Sequence, residues 1–250
     1  MKKNKEWWQD FFDDFAPAFD LVPAKIVNQD VRFFIKKLKL SKGKSFLDCP
    51  CGIGRISIPM AKRGIRVTGV DFMQPYLDIL ADRTIKAGVK ITTVRRDMRR
   101  IQYTNQFDAA GNIWTSLGYF QKESDNFLVV KNLYRALKPG GRVLFHMINR
   151  DYVIANFRPH IWEQVSGMYI LNDNSFDFQT SRGDTNWLFI KDGQEKRLHS
   201  DLRIYSYHEL YAMMRKAGFV DIEGFSSVKE EPISQQNRMM FVFGTKPKSR

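Results

Sequence analysis

The chain has 250 residues, 43% hydrophobic and 14% aromatic, which suits one large domain or a core with an inserted subdomain. No apolar run reaches the roughly 18 residues of a membrane span, no signal-peptide pattern opens the chain, and two cysteines exclude a disulfide framework, so a cytoplasmic protein is expected. The net charge of +13, from 40 basic and 27 acidic side chains, fits a solvated basic surface or a small anionic ligand better than nucleic acid, because no aromatic-basic repeat accompanies it.

Apolar spacing predicts a helix over residues 4–16, with Trp8, Phe11, Phe12 and Phe15 on one face, and a second over 24–39. The pattern then changes. Ser45–Asp48 reads as a short strand, 53–63 as a helix stopped by Gly64, and 65–72 as a β-branched strand. A helix over 74–87, a strand over 89–97 and a strand over 106–114 follow. A helix over 123–137 ends at Leu137-Lys138-Pro139-Gly140-Gly141, and 142–148 is a fifth strand. Strands alternating with helices predict a parallel sheet covered on both faces. From about 165 to 206, extended runs separated by turn residues predict an antiparallel meander. Ser206-Tyr207-His208-Glu209 is a capping box that opens a helix to Ala217, and two closing strands complete the chain.

The densest chemistry lies in Phe46-Leu47-Asp48-Cys49-Pro50-Cys51-Gly52-Ile53-Gly54-Arg55. A structural zinc needs about four ligands in paired clusters, and His146, His160, His199 and His208 are scattered. A redox motif needs Cys-x-x-Cys. The cysteines are therefore read as small buried fillers, and no metal is expected. The loop follows a strand and opens a helix. Gly52 and Gly54 permit a sharp turn and close approach of a ligand, and Asp71 at the end of the next strand suits ribose hydroxyls. The third glycine of a dinucleotide fingerprint is missing. Asp48 would repel a pyrophosphate but attract a cationic sulfonium-amino acid.

With "VTGVDF" (67–72), "RRDM" (95–98), "FDAAGNIWTSLGYF" (107–120) and "LYRALKPGGRVLFHMINR" (133–150), the loop resembles the class I S-adenosylmethionine-dependent methyltransferases. Pro50 stands where the commonest family pattern has glycine. The resemblance implies an α/β, doubly wound, mostly parallel seven-stranded Rossmann-like sheet. It implies S-adenosylmethionine as cofactor, with S-adenosylhomocysteine as product. Asp48 and the backbone around Gly52 and Gly54 would lie near the methionine moiety, Asp71 at the ribose and Phe72 beside the adenine. Asp97 would meet the adenine amino group with Met98 packed next to it, and Asn112 would approach the reacting methyl. Phe72 and Met98 read equally well as core residues.

Three units are expected: N-terminal helices 1–40 as a lid, a cofactor-binding core of 41–150 with 207–250, and a β-rich insert 151–206 on the acceptor side. The methyl acceptor is expected to be a small molecule, neutral or anionic, methylated at N or O. Trp114, Tyr119, Arg203 and Tyr205 are candidates to bind it, and His146 and Tyr119 to orient it or take its proton. The polar face of 197–206 also reads as a solvated sheet face, and His146 as a core histidine. Rival readings are an RNA or protein methyltransferase, a nicotinamide-dependent oxidoreductase, and a non-catalytic adenosyl-binding protein. Nucleic acid is not favoured, because the Pro-Pro-aromatic run of base-amine methyltransferases is absent after Asn112. The sequence carries no clear signal for oligomeric state.

Overall fold

In the computed structural model, which describes residues 6–14, 22–165 and 167–248, two sheets form. The larger has seven strands in the order β10-β11-β5-β4-β1-β2-β3. Its parallel body is β1 (Ser45–Asp48), β2 (Arg66–Asp71), β3 (Ile91–Arg95), β4 (Phe107–Asn112) and β5 (Leu137–Ile148). β11 (Met239–Thr245) runs antiparallel between β5 and β10 (Val220–Phe225). Its first residue therefore lies at the edge where the parallel strands end, with Met239 opposite Ile148.

Helices cover both faces because the strands are apolar on both. α2 (Ala24–Lys37) and α3 (Ser57–Lys62) pack with Phe46, Val67, Leu144 and Phe243. α5 (Glu123–Ala136) and α7 (Tyr207–Ala217) cover the opposite face through Val130, Leu133, Leu210 and Met214. α4 (Gln74–Ala87) lies along the β2–β3 edge and stops at Gly88, which takes a left-handed φ of 64°. The capping box at the start of α7 forms in full: the Ser206 hydroxyl accepts from Glu209 N–H and the Glu209 carboxylate from Ser206 N–H.

Several boundaries differ from the pattern reading, each for a local reason. α3 starts four residues late because Gly52 and Gly54 hold positive φ. β3 stops at Arg95, and Asp97 instead caps a short 3-10 turn, Met98–Arg100. β4 stops at Asn112 because Trp114 and Thr115 both adopt left-handed φ, 63° and 62°. Asn149 caps a short helix, α6 (Arg150–Ala155), that periodicity did not reveal.

The second sheet is the insert, four antiparallel strands in sequential order: β6 (His160–Val165), β7 (Met168–Asp177), β8 (Arg182–Lys191) and β9 (Gln194–Arg203). It begins five residues before the predicted meander. The described part of the first predicted helix is α1 (Trp7–Asp14), which packs on β9. Residues 4, 5, 15 and 16 of that helix lie outside the described residues, as does Phe19 within the expected lid span 1–40. Among the described residues no helix is long and apolar enough to cross a membrane.

Candidate active site

A cavity of about 570 Å³ lies over the ends of β1 to β4, beneath α1 and beside β9. That volume falls within the roughly 300–1,000 Å³ of small-molecule pockets. Its floor is the loop after β1. Cys49 N–H donates to the Gly111 carbonyl (3.0 Å) and Cys51 N–H to the Val70 carbonyl (2.9 Å), so the loop is stitched to strands on both sides. Gly52, at φ 52°, donates its N–H to Asp71 Oδ2 (2.8 Å), and a Cβ added there would stand in open space. Gly54 differs. At φ 83°, its Cβ would overlap Leu80 of α4, so it serves helix packing and does not line the cavity. Both thiols are buried, and burial pushes them well above the ordinary cysteine range. Among the described residues no group of three His, Cys, Asp or Glu side chains is placed to hold a metal.

Three carboxylates on or just beyond adjacent strand ends border this floor. Asp48 is 2% exposed, and its Oδ2 accepts from Ser57 Oγ (2.6 Å). Burial pushes its pKa up to about 7, against the lowering effect of the Ser57 hydrogen bond. Asp71 Oδ1 accepts from Met73 N–H (2.9 Å). Burial raises its pKa, while the Met73 and Gly52 amides oppose the rise. Asp97 accepts from Arg99 N–H (2.8 Å) and from the Arg99 guanidinium (2.7 Å). Phe72 and Met98 line the cavity with them.

Arg99 ties the roof to the floor. Besides Asp97 it reaches Glu6 (2.8 Å) and Asp125 (3.2 Å), and it stacks on Phe120 at 4.0 Å. Glu6 immediately precedes α1 and also accepts from Trp8 Nε1 (3.2 Å). Aromatic edges hold the rest of α1. Trp8 meets Phe72 (5.0 Å), Phe12 meets Tyr119 (5.4 Å) and Phe11 meets Trp187 of β8 (6.0 Å). Trp7 Nε1 donates to the Tyr119 carbonyl (3.0 Å). Arg99→Met leaves three carboxylates without this cation; with Glu6 and Asp125 about a third exposed and screened by solvent, it is expected to cost about 1–2 kcal/mol. Limited proteolysis should then show faster cleavage before residue 22 than in the parent chain.

The other predicted site residues divide. Tyr119 and Trp114 line the cavity. Tyr119 Oη donates to Ser116 Oγ (3.4 Å), and burial pushes its pKa up, so at neutral pH it is a phenol that can orient a ligand but not take a proton. Asn112 lies beneath the floor, where Nδ2 donates to the Cys49 carbonyl (2.9 Å). His146 is not in the cavity. It stacks on Phe241 (4.4 Å, 3°) and contacts Trp114 (5.1 Å), and burial lowers its pKa to about 3. It is a core histidine, neutral at physiological pH.

Arg203 and Tyr205 also lie outside the cavity. Arg203 pairs with Glu209 (2.5 Å) and Tyr205 donates to Glu123 (2.9 Å), fastening the insert's last strand to α7 and α5. The cavity side of β9 is the opposite one, with Ser200 and Leu202, while His199 pairs with Asp184 on the outer side. On the cavity side of β9 and just beyond it, Leu198 and Leu202 are half-buried and Ile204 is buried, and of the three only Leu202 reaches the cavity.

Lining residues not singled out from sequence as site residues include Arg55, Trp187, Ser200 and Arg238. Arg55 stacks on Trp114 at 4.1 Å; it stood in the quoted motif and could have been found there. Trp187, Ser200 and Arg238 arrive from the insert and from the loop before β11, and no local signal marks them.

Against known proteins, a family model for a methyltransferase domain matches residues 46–141. YqeM of Bacillus subtilis (strain 168), provisionally named a methyltransferase, is 26% identical over 92% of this chain and 95% of its own. A ubiquinone biosynthesis O-methyltransferase of Pseudomonas savastanoi pv. phaseolicola is 30% identical over 66% of each chain. An S-adenosylmethionine-dependent methyltransferase from Clostridium acetobutylicum superposes with a TM-score of 0.80 at 15% identity, over 94% of this chain and 99% of that one, a likeness of fold.

Proposed function

The chain belongs to the class I S-adenosylmethionine-dependent methyltransferases, and from that premise we propose that it methylates N or O of a small molecule, without a metal. When bound, S-adenosylmethionine supplies a methyl group activated on a sulfonium and leaves as S-adenosylhomocysteine. The residues present suit it. Gly52 offers open space for close approach, Asp71 holds a carboxylate for the ribose diol, and Asp48 holds one for the cationic amino-acid end. Asp97 and Met98 are proposed for the adenine.

The observation that carries the small-molecule reading is the closure of the cavity's acceptor side. α1 and the insert meet above it through Phe11 and Trp187, so aromatic side chains roof a space of small-molecule size. These walls align the acceptor and exclude water. An acceptor held between these walls would present its N or O lone pair to the methyl group that the bound cofactor would supply. Tyr119 orients the acceptor, and any acceptor proton leaves to solvent.

The densest basic run of the chain, Arg95-Arg96-Asp97-Met98-Arg99-Arg100, is partly spent internally. Arg99 serves three carboxylates, and Arg95 Nε donates to the Phe72 carbonyl (3.2 Å). The test is methyl transfer from labelled cofactor to a panel of small amines, phenols and carboxylates, with bulk tRNA in parallel. Transfer to a small molecule is expected. Labelling of tRNA alone would overturn the reading.

The raised pKa of Asp48 sets a pH dependence. The free protein holds the proton below about pH 7, whereas a bound cation favours the carboxylate, so binding releases a proton. Affinity for S-adenosylmethionine is expected to rise with pH up to about 7 and level off above, by at most about tenfold per unit. Asp48→Asn should flatten that profile. In the ligand-free protein the sign reverses. The unfolded state ionises near the ordinary aspartate value of 3.8, so Asp48's contribution to stability declines as pH rises from there to about 7. Calorimetric titration between pH 5.5 and 8.5 reads the binding effect.

A further inference from the structure

Of the three arginines lining the cavity, Arg238 is the one whose surroundings leave its charge for a ligand. Arg55 covers the Trp114 ring, and Arg96 follows β3 at the end where Asp71 and Asp97 sit. Arg238 immediately precedes β11, at the other side of the sheet. With β5, β4 and β1 between β11 and β2, and about 4.8 Å per strand step, it stands roughly 19 Å from the Asp71 end.

Its backbone is held in place. The fully buried Asn149 donates its N–H to the Arg238 carbonyl (2.9 Å), and its Nδ2 donates to the carbonyls of Ser234 (2.9 Å) and Asn237 (3.2 Å). The side chain is exposed and, among the described residues, has no hydrogen-bond or ion-pair partner. A guanidinium on a fixed backbone, facing a ligand cavity with no counter-ion among the described residues, suits a planar anion. Ile148, Met239, Trp114, Leu202 and Trp187 line the same cavity and supply apolar and aromatic surface, beside the hydroxyls of Thr115, Ser116 and Ser200.

We propose that Arg238 anchors the acceptor through a carboxylate, and that the acceptor is an apolar, ring-bearing carboxylic acid whose nucleophilic N or O is thereby directed at the methyl group. This rests on the small-molecule reading above and narrows it. A carboxylate fits the fork of two parallel N–H donors, whereas an ammonium-bearing acceptor would be repelled.

The test is calorimetric titration of the S-adenosylhomocysteine complex with hydroxy- and aminobenzoates and hydroxynaphthoates, against the matching carboxamides and benzylamines. The carboxylates are expected to bind at least about tenfold more tightly than their amides, the scale of a lost charge-assisted contact. Arg238→Gln should erase that preference without changing S-adenosylhomocysteine affinity, and the variant should unfold at the parent temperature. Absence of a carboxylate preference, or its persistence in Arg238→Gln, overturns the proposal while the methyltransferase assignment stands. Methyl transfer to tRNA with none to any small molecule would instead overturn the reading beneath it, and this proposal with it.

Discussion

A chain carrying Gly52→Val is expected to fold and to lose S-adenosylhomocysteine binding by about a hundredfold or more, because the added side chain would occupy the space the ligand needs. Nothing lies within 4 Å of the position a Cβ would take, so the branched side chain meets no protein atom at its root and projects into the cavity side of the loop. The backbone cost is that of placing a β-branched residue at φ 52°, about 1–2 kcal/mol. For a chain of this size that lowers the unfolding temperature by roughly 2–8 °C. Gly54→Ala is the paired control. There the Cβ meets Leu80 of α4 at φ 83°, so overpacking adds about 1–3 kcal/mol to the conformational cost. This variant should lose more stability than Gly52→Val and bind the ligand nearly normally once folded. Thermal unfolding and calorimetry on the two proteins read both quantities. Normal binding by Gly52→Val would remove the loop from the cofactor site.

Asp71→Ala should weaken S-adenosylhomocysteine by about 10- to 100-fold, the equivalent of roughly 1–3 kcal/mol for hydrogen bonds to a charged group. The carboxylate does two things at once. It accepts from the amides of Gly52 and Met73, which shapes the floor, and it is proposed to accept from the ribose diol. Adenosine separates the cofactor's two ends, since it carries the ribose but no methionine. Asp71→Ala should weaken adenosine as much as S-adenosylhomocysteine, whereas Asp48→Asn should leave adenosine unchanged. Equal loss of adenosine binding in both variants would contradict the division of the cavity into a ribose end and a methionine end.

Much of the fold was legible because its signals are local. Period-two and period-3.6 runs, Gly88 at a helix stop and Ser206 with Glu209 at a helix start all act within one turn or one strand. Boundaries failed where a tertiary demand overrode the pattern. Trp114 and Thr115 look like strand residues but take left-handed φ, held by Thr115 N–H to the His146 carbonyl (2.9 Å) and Ile148 N–H to Thr115 Oγ1 (2.9 Å). His146 read as a candidate in sequence because it stands near a strand end. Its side chain instead points to the α2 face, against Phe34 and Phe241.

The loop, the acids at or just past the ends of the first three strands and the family were all legible in the sequence, because strand, glycine turn and terminal acid are contiguous and act on their own backbone. Folding alone fixes which face of β9 meets the cavity, places α1 over it through Glu6 and Arg99, and brings Arg238 into one space with Trp114. Those placements depend on register and strand order. A shift of one residue turns a strand's other face inward, and β11 brings its first residue beside β5 only because it runs antiparallel there.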